Sequence, residues 1–309
     1  MFRNVRLFRL NGPWPDSEHA LSARLAEVAF EPCGAFAEKS TGFEPPTGDP
    51  EGSLARRVEG ADLLRLRSQV RLLPAAAIED ALEARIAEFR QRMGTDPGRR
   101  ERRRLKAQTR DELLPKALVR SQRTHAVVLG KERILAIDTG SDARTEQLVE
   151  HLRFAVADVD ATPLAFNRPY ADLLTRIFLG DAPRGFGLGN ECRMCDPSDS
   201  KAAIRCSDMD LGHATVRNHL RHGMRLTHLG VTLDDVLSCT LDEKGGVGKL
   251  KLLGGDVAAD MPDEDPLARF DAELALLAGT LRQLLSALEH ALGGYEEGAP
   301  AVQRLAASA

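Results

Sequence analysis

From Leu267 to Leu288 the chain repeats apolar residues at spacings of 3, 4, 3, 4, 3 and 4 without a miss: Leu267, Phe270, Leu274, Leu277, Leu281, Leu284 and Leu288. Such a stripe can only be one face of a long helix, and a face this apolar must be covered. Asp263-Glu264-Asp265 put carboxylates at its N-terminus, Pro266 fits the first turn, and Gly293-Gly294 end it. The seam is expected to pack on a core, with self-association as the alternative use. Leu285 and Leu292 lie beside the seam and widen it. That extra width predicts that this helix, or the sheet it covers, lies near a subunit contact. Beyond Gly298 the chain is rich in Ala and is expected to fray.

The surface for such a helix is expected from strands. Val5 to Leu10 reads as a first strand, and a helix capped by Asp16 or Ser17 follows, with Leu21, Leu25 and Val28 at helical spacing. Phe30 to Pro46 holds too many Pro and Gly residues for a long element. Leu54 to Val58 and Leu63 to Leu72 form a hairpin in which Leu64, Leu66 and Val70 stand near Arg65, Arg67 and Arg71. A helix opens at Pro74 with the stripe Ile78, Leu82, Ile86, Phe89 and Met93, and Gly94 to Gly98 break it. Strands over 124–129 and 133–139 precede a helix over 142–157 and a shorter one over 170–179. In the second half strands fall at 186–188, 202–206, 225–233 and 236–242, with a helix over 213–221. Hairpin, helix and strand recur in that order. This favours an α+β fold with largely antiparallel sheets and packed helices over a parallel doubly wound sheet.

With 309 residues, the chain is longer than one usual domain. The expected division is an N-terminal α+β unit over 1–73, a basic helical and hairpin unit over 74–162, a second α+β unit over 163–255, and the long helix with its tail over 256–309. The composition, 43% hydrophobic and 28% charged, is that of a soluble globular protein. No run of eighteen apolar residues and no apolar stretch after Met1 to Arg6 suggests export, so a cytosolic location is expected. Five scattered cysteines do not make a disulfide framework, and reduced thiols are expected.

Charge is divided unevenly. Arg85 to Arg133 carry fifteen Lys or Arg against six Asp or Glu, a local net of +9 in a chain whose total is −4, which leaves −13 for the remainder. One surface is therefore built to meet a polyanion, while the rest keeps the protein acidic. Gly98 to Arg110 reads as helix, with Arg99, Arg103, Lys106 and Arg110 along one face. Spread over about 17 Å at ~1.5 Å per residue, that stripe suits a duplex with one phosphate charge every ~1.7 Å. Arg85, Arg100, Arg104, Lys116, Arg120 and Arg123 complete the candidate DNA-binding set in this stretch.

Two other readings compete. Lys244-Gly245-Gly246-Val247-Gly248-Lys249 resembles a phosphate-cradling ATPase loop in which Lys249 would reach the terminal phosphate. However, Glu243 replaces its first Gly, Leu250 replaces its Ser or Thr, and a strand-like alternation follows where a helix must open. A Gly-rich hairpin turn is the simpler reading. Cys192-Arg193-Met194-Cys195 with Cys206 could supply zinc thiolates, with His213, His219, His222 or His228 as a fourth ligand, but no second close ligand pair follows. Free thiols are expected, with no metal and no cofactor. No Gly-x-Ser-x-Gly or His-Glu-x-x-His motif is present, and no catalytic constellation is expected.

Several stretches together resemble one bacterial family, the recombination-associated RdgC proteins. They are Val28-Ala29-Phe30-Glu31-Pro32-Cys33-Gly34, Leu72-Leu73-Pro74 leading into Ala81-Leu82-Glu83-Ala84-Arg85-Ile86, and Leu113-Leu114-Pro115-Lys116-Ala117. Asp210-Leu211 with His219-Leu220 follow, then Arg269-Phe270-Asp271-Ala272-Glu273-Leu274 running to Leu292-Gly293-Gly294. Their joint order spans nearly the whole chain. The resemblance implies a non-enzymatic, cytoplasmic, nucleoid-associated protein that binds duplex DNA without reading sequence. It also implies two curved subunits closing into a ring-shaped homodimer around DNA, restraining RecA-dependent recombination by occupying it. Arg205, and Lys249 and Lys251 in a Lys-Leu-Lys segment, join the expected DNA contacts through this resemblance. The chain departs from the family pattern at Ser207, Asp208 and Met224, where basic residues are expected, and at Leu118 and Ser121, where aromatic ones are.

Overall fold

The computed structural model describes residues 2–199, 201–253 and 265–296. One antiparallel sheet runs through it. Its strands are β1 (Val5–Asn11), β2 (Lys39–Phe43), β3 (Ala55–Val58), β4 (Ala61–Leu72), β5 (Leu118–Leu129), β6 (Ile134–Asp138) and β7 (Asp160–Pro163), followed by β8 (Phe186–Cys195), β9 (Ala203–Cys206), β10 (Arg225–Leu233), β11 (Leu237–Asp242) and β12 (Val247–Leu252). The helices are α1 (Glu18–Leu25), α2 (Ala75–Met93), α3 (Arg99–Leu113), α4 (Asp142–Ala155), α5 (Tyr170–Leu179), α6 (Ala214–Arg221) and α7 (Pro266–Leu292). The order across the sheet is β2-β4-β5-β6-β1-β12-β11-β10-β8-β9, with β3 beside β4 and β7 beside β1. The α+β class and antiparallel pairing match the expectation.

β1 is the hinge strand of this sheet, because it pairs with β6 and β7 and also meets β12 at Val5↔Val247. On the β4–β6 side both faces are covered. Leu64, Leu66, Ala126, Val128, Leu135 and Ile137 point into a core with α1 and α4, while Ala61, Leu63, Val127, Leu129, Ile134 and Ala136 point into a second core with α5 and α7. Side chains alternate faces along a strand, so two-sided cover makes most positions there apolar, with Asp62 of β4 a buried exception. β11 instead alternates buried and half-buried residues, as a strand with one covered face does.

Local signals place most elements. The Ser17 hydroxyl accepts from Ala20 N at 3.1 Å and starts α1. Gly94 ends α2 and Gly293 ends α7, both in the left-handed region. The Asp265 side chain caps α7; Asp263, Glu264 and the tail beyond Gly298 lie outside the described residues.

Three expectations change. β5 begins at Leu118, six residues before the expected start, because β4 pairs with it continuously from Ala61↔Leu129 to Leu72↔Leu118. β8 runs to Cys195 because β10 and β9 hold it on either side. Its glycines hide it: a Cβ on Gly189 would lie 2.7 Å from the Gly230 carbonyl carbon, so only glycine allows that strand contact. Finally, Leu285 and Leu292 do not sit beside the core but within it, as buried as Leu281 and Leu284. The extra width of the seam at Leu285 and Leu292 is core packing.

Candidate nucleic-acid interface

β4 and β5 are twelve residues each, but β6 pairs only with Ala126 to Leu129 of β5. The outer half of the β4–β5 ribbon therefore projects past β6, and α2 and α3 are inserted at its tip as an antiparallel pair. α2 buries Ile78 and Leu82, whereas α3 buries only Thr109. Two ion pairs link α3 to α2, Lys106 with Glu79 and Arg85 with Glu112, beside half-buried Ile86, Phe89 and Leu105. The Lys106 hydrogen bond holds the Glu79 carboxyl below the usual carboxylate range, with the Lys106 and Arg102 charges adding to it. At the foot of the hairpin, Arg71 donates to the carbonyls of Leu114, Pro115 and Ala117 at 3.2–3.3 Å and to those of Cys33 and Gly34. One guanidinium so satisfies carbonyls left open where α3 ends.

The expected stripe of Arg99, Arg103, Lys106 and Arg110 divides. All four are exposed, but Lys106 is committed to Glu79 and Arg110 pairs with Glu38. The face turned away from α2 carries Arg99, Arg100, Arg103 and Arg104, all exposed. Glu101 is turned inward and half-buried, and its contact with Arg104 is a loose 3.9 Å. Among the described residues Arg99, Arg100 and Arg103 form no ion pair. Lys116 and Arg120 are likewise exposed at the hairpin's foot and on the outer ribbon. Their neighbours Leu118, 78% exposed, and Val119, 43% exposed, lie on a β5 edge that no described strand pairs.

Arg123 belongs to a second cluster. It stands opposite Arg67 on β4, and Arg65 precedes Arg67 by two residues on the same face. All three converge on Glu44, at 2.6 Å from Arg123, 3.0 Å from Arg65 and 3.2 Å from Arg67. Arg67 also stacks on Phe30, 4.5 Å from the ring centre. Alternation along β4 marks Arg65 and Arg67 in the sequence; nothing local marks Glu44 as their shared partner. Beside Arg65, burial and the Arg65 charge lower the pKa of His125.

Arg205, Lys249 and Lys251 lie on the other side of β1, on β9 and β12. Arg205 faces Arg193 across β8, and Arg193 pairs in register with His228 of β10. Burial chiefly lowers the His228 pKa, opposed by Asp242 and aided by Arg193. Lys249 is tied to Glu191, whose other carboxylate oxygen accepts from Thr240, while Lys251 is exposed. The sheet does not bring this group together with the hairpin, since β6 and β1 separate β5 from β12. The Gly-rich run before Lys249 is the β11–β12 turn, in which Gly245 presses on Tyr170 so closely that a Cβ would lie 2.6 Å from its ring. The chain continues as strand after Lys249, so the loop has no helix terminus to hold phosphates. Cys192 and Cys206 face one another in register and are buried, and Cys195 stands opposite Ala203. Burial, with Cys206 next to it, pushes the Cys192 thiol up to about 12. Among the described residues no three His, Cys, Asp or Glu side chains gather as metal ligands.

Comparison with known proteins now adds family. A protein-family model described as "Putative exonuclease, RdgC" matches residues 1–295. The chain belongs to the RdgC family. The recombination-associated protein RdgC of Xanthomonas oryzae pv. oryzae (strain MAFF 311018) is 33% identical over 295 residues, covering 94% of this chain and 97% of that protein. The protein of the same name from Shewanella baltica (strain OS195) is 30% identical over 302 residues, covering 96% and 98%. Both relatives are named recombination-associated, and no described helix of this chain is long and apolar enough to cross a membrane.

Proposed function

We propose that this RdgC-family chain binds duplex DNA through its phosphates, without reading sequence, and restrains RecA-dependent recombination by occupying the DNA. The observation that carries this reading is the outer face of α3. Arg99, Arg100, Arg103 and Arg104 stand exposed at the tip of a projecting ribbon, in a chain of net charge −4. A protein that only needed solubility would not concentrate its cations there, and arginine forks suit phosphate oxygens. Phosphate contacts supply affinity but no base information. The same face is expected to concentrate the protein on the nucleoid.

A ring-shaped homodimer completes the reading. The unpaired outer edge of β5, with Leu118 and Val119 exposed, supports a subunit contact near the ribbon tip. Closing a ring takes two separate contacts, one at each end of the subunit. A closed ring would make escape from DNA slow even where each contact is modest. Lys249, Lys251 and Arg205 would then extend the basic surface along the other half of the sheet.

The role is binding rather than catalysis. Incubation with linear duplex and magnesium is expected to leave the DNA full length, whereas shortening from its ends would establish a nuclease. In a RecA strand-exchange assay the wild-type chain should slow product formation in proportion to the DNA it covers. A variant with Gln at Arg99, Arg100, Arg103 and Arg104 should lose that effect. Inhibition by the variant equal to wild type would remove α3 from the mechanism.

A further inference from the structure

The Arg65, Arg67 and Arg123 cluster carries more positive charge than its surroundings answer. Three guanidiniums share the single carboxylate of Glu44, which is 11% exposed, so the group keeps a net charge of +2. None of the three grips Glu44 with a two-pronged fork: Arg67 donates singly to Glu44 and Ser121, and Arg65 donates to the Pro46 carbonyl at 3.1 Å. Arg65 Nε lies 3.0 Å from Glu44 but off the line of its hydrogen, and it and Arg67 Nε are buried without a hydrogen-bond partner. Arg123 turns only its Nε to Glu44, its side chain is 46% exposed, and its terminal nitrogens form no hydrogen bond among the described residues. Ser121, whose hydroxyl takes a 3.2 Å bond from Arg67, is exposed on the same face.

We infer that this cluster is a preformed seat for one phosphodiester of nucleic acid, with Glu44 as an internal anion that holds the three arginines in place until a phosphate shares them. The inference rests on the DNA-binding reading above and adds a contact point to it, on the ribbon rather than on the helical hairpin. Like charges gathered at a half-buried site oppose one another: burial, and then Arg123 and Arg67, lower the Arg65 pKa against the pull of Glu44. A second anion relieves that opposition. Phosphate fits better than another carboxylate because its oxygens can meet two guanidinium forks at once. Packing of Arg67 on Phe30 and pairing of β4 with β5 fix the positions beforehand, so little ordering is needed on binding.

The test changes Arg67→Gln and Arg123→Gln together, leaving Arg65 and Glu44 as a neutral pair. Binding of a fluorescent duplex is followed by anisotropy over a range of salt, beside the fourfold Gln variant of α3 and with folding checked by circular dichroism. The double variant should lower the slope of log K against log salt by about 0.9, the value for the one phosphate the seat holds. Its slope staying at the wild-type value, while the α3 variant falls, would overturn the seat and leave the DNA-binding reading standing. Wild-type protein that binds no duplex would instead overturn that reading. Thermal stabilisation by inorganic phosphate, present in wild type and absent in the double variant, would then assign the cluster to small phosphates and overturn the nucleic-acid seat. Should the double variant not fold, R123Q alone, at the most exposed member, decides the question with a smaller change, up to about 0.9. Glu44→Gln provides the opposite sign: the freed cation should raise affinity and steepen the slope, and weaker binding by a folded E44Q protein would contradict the internal-anion role.

Discussion

α7 and α3 are both long and face the same solvent, yet they are used in opposite ways. α7 buries ten of its twenty-seven residues, among them Leu274, Leu277, Leu281, Leu284, Leu285 and Leu288. Its charges serve as tethers: Asp271 takes a 2.8 Å bond from Arg56 of β3, and Arg282 donates to Glu132 at 2.8 Å. α3 buries one residue and has six exposed arginines, four of them on the face turned away from α2. The difference separates stability from function. One helix could not lose its apolar face without losing the fold, whereas the other could lose its charged face and remain a helix.

The largest effect should therefore come from α7. Leu284→Ala removes a fully buried side chain from the core shared with α5 and the sheet, and is expected to cost about 2–5 kcal/mol in denaturant unfolding. A loss below 1 kcal/mol would mean that the helix is not bound to the sheet as described. Next comes the polar part of the core. Asp62 is 1% exposed and accepts from Arg57 and from Trp14 Nε1 at 2.8 Å. Asp62→Asn should cost about 1.5–3 kcal/mol, the range for a hydrogen bond to a charged group.

Acid should act more gently. His125 and His228 have pKa values lowered chiefly by burial, so between the folded value and the ordinary ~6.5 the unfolded chain binds more protons. Their contribution is fully present above ~6.5 and is lost as pH falls from there through the folded pKa. His125→Gln should flatten that part of the stability-against-pH curve. An identical curve in H125Q would show that the ring does not titrate there. The smallest stability effect belongs to α3: Gln at Arg99, Arg100, Arg103 and Arg104 should shift unfolding by no more than about 0.5 kcal/mol, as exposed surface changes do.

The same contrast explains what the sequence made readable. The α7 seam, the Ser17 and Gly94 caps and the alternation of β10 and β11 are local signals, and each element stands where its signal lies. The outer half of β5 has no such signal. Arg120, Ser121, Gln122 and Arg123 are polar on both faces, and only pairing with β4, some fifty residues away in the chain, makes them strand. Leu285 and Leu292 read as surplus because a two-position repeat understates the width of a face that packs on both α5 and the sheet. For the site, the basic stretch was visible as charge, but the carboxylates that occupy Lys106 and Arg110 lie on α2 and before β2. Glu44 likewise joins arginines from two other strands. Which cations are free is a property of tertiary pairing, and no spacing rule reports it.

Whether the exposed arginine face at the ribbon tip binds duplex phosphates irrespective of sequence is read from the salt dependence of binding. Affinity for two duplexes of equal length and unrelated sequence should be measured from low to high salt, for wild type and for the variant with Gln at Arg99, Arg100, Arg103 and Arg104. Wild type should bind the two sequences with equal affinities and equal slopes, and the variant's slope should be lower by up to about 3.6, at ~0.9 for each lost phosphate contact. A folded variant that keeps the wild-type slope on both duplexes, or a wild type that binds one sequence far more tightly than the other, would contradict sequence-independent phosphate binding by this face.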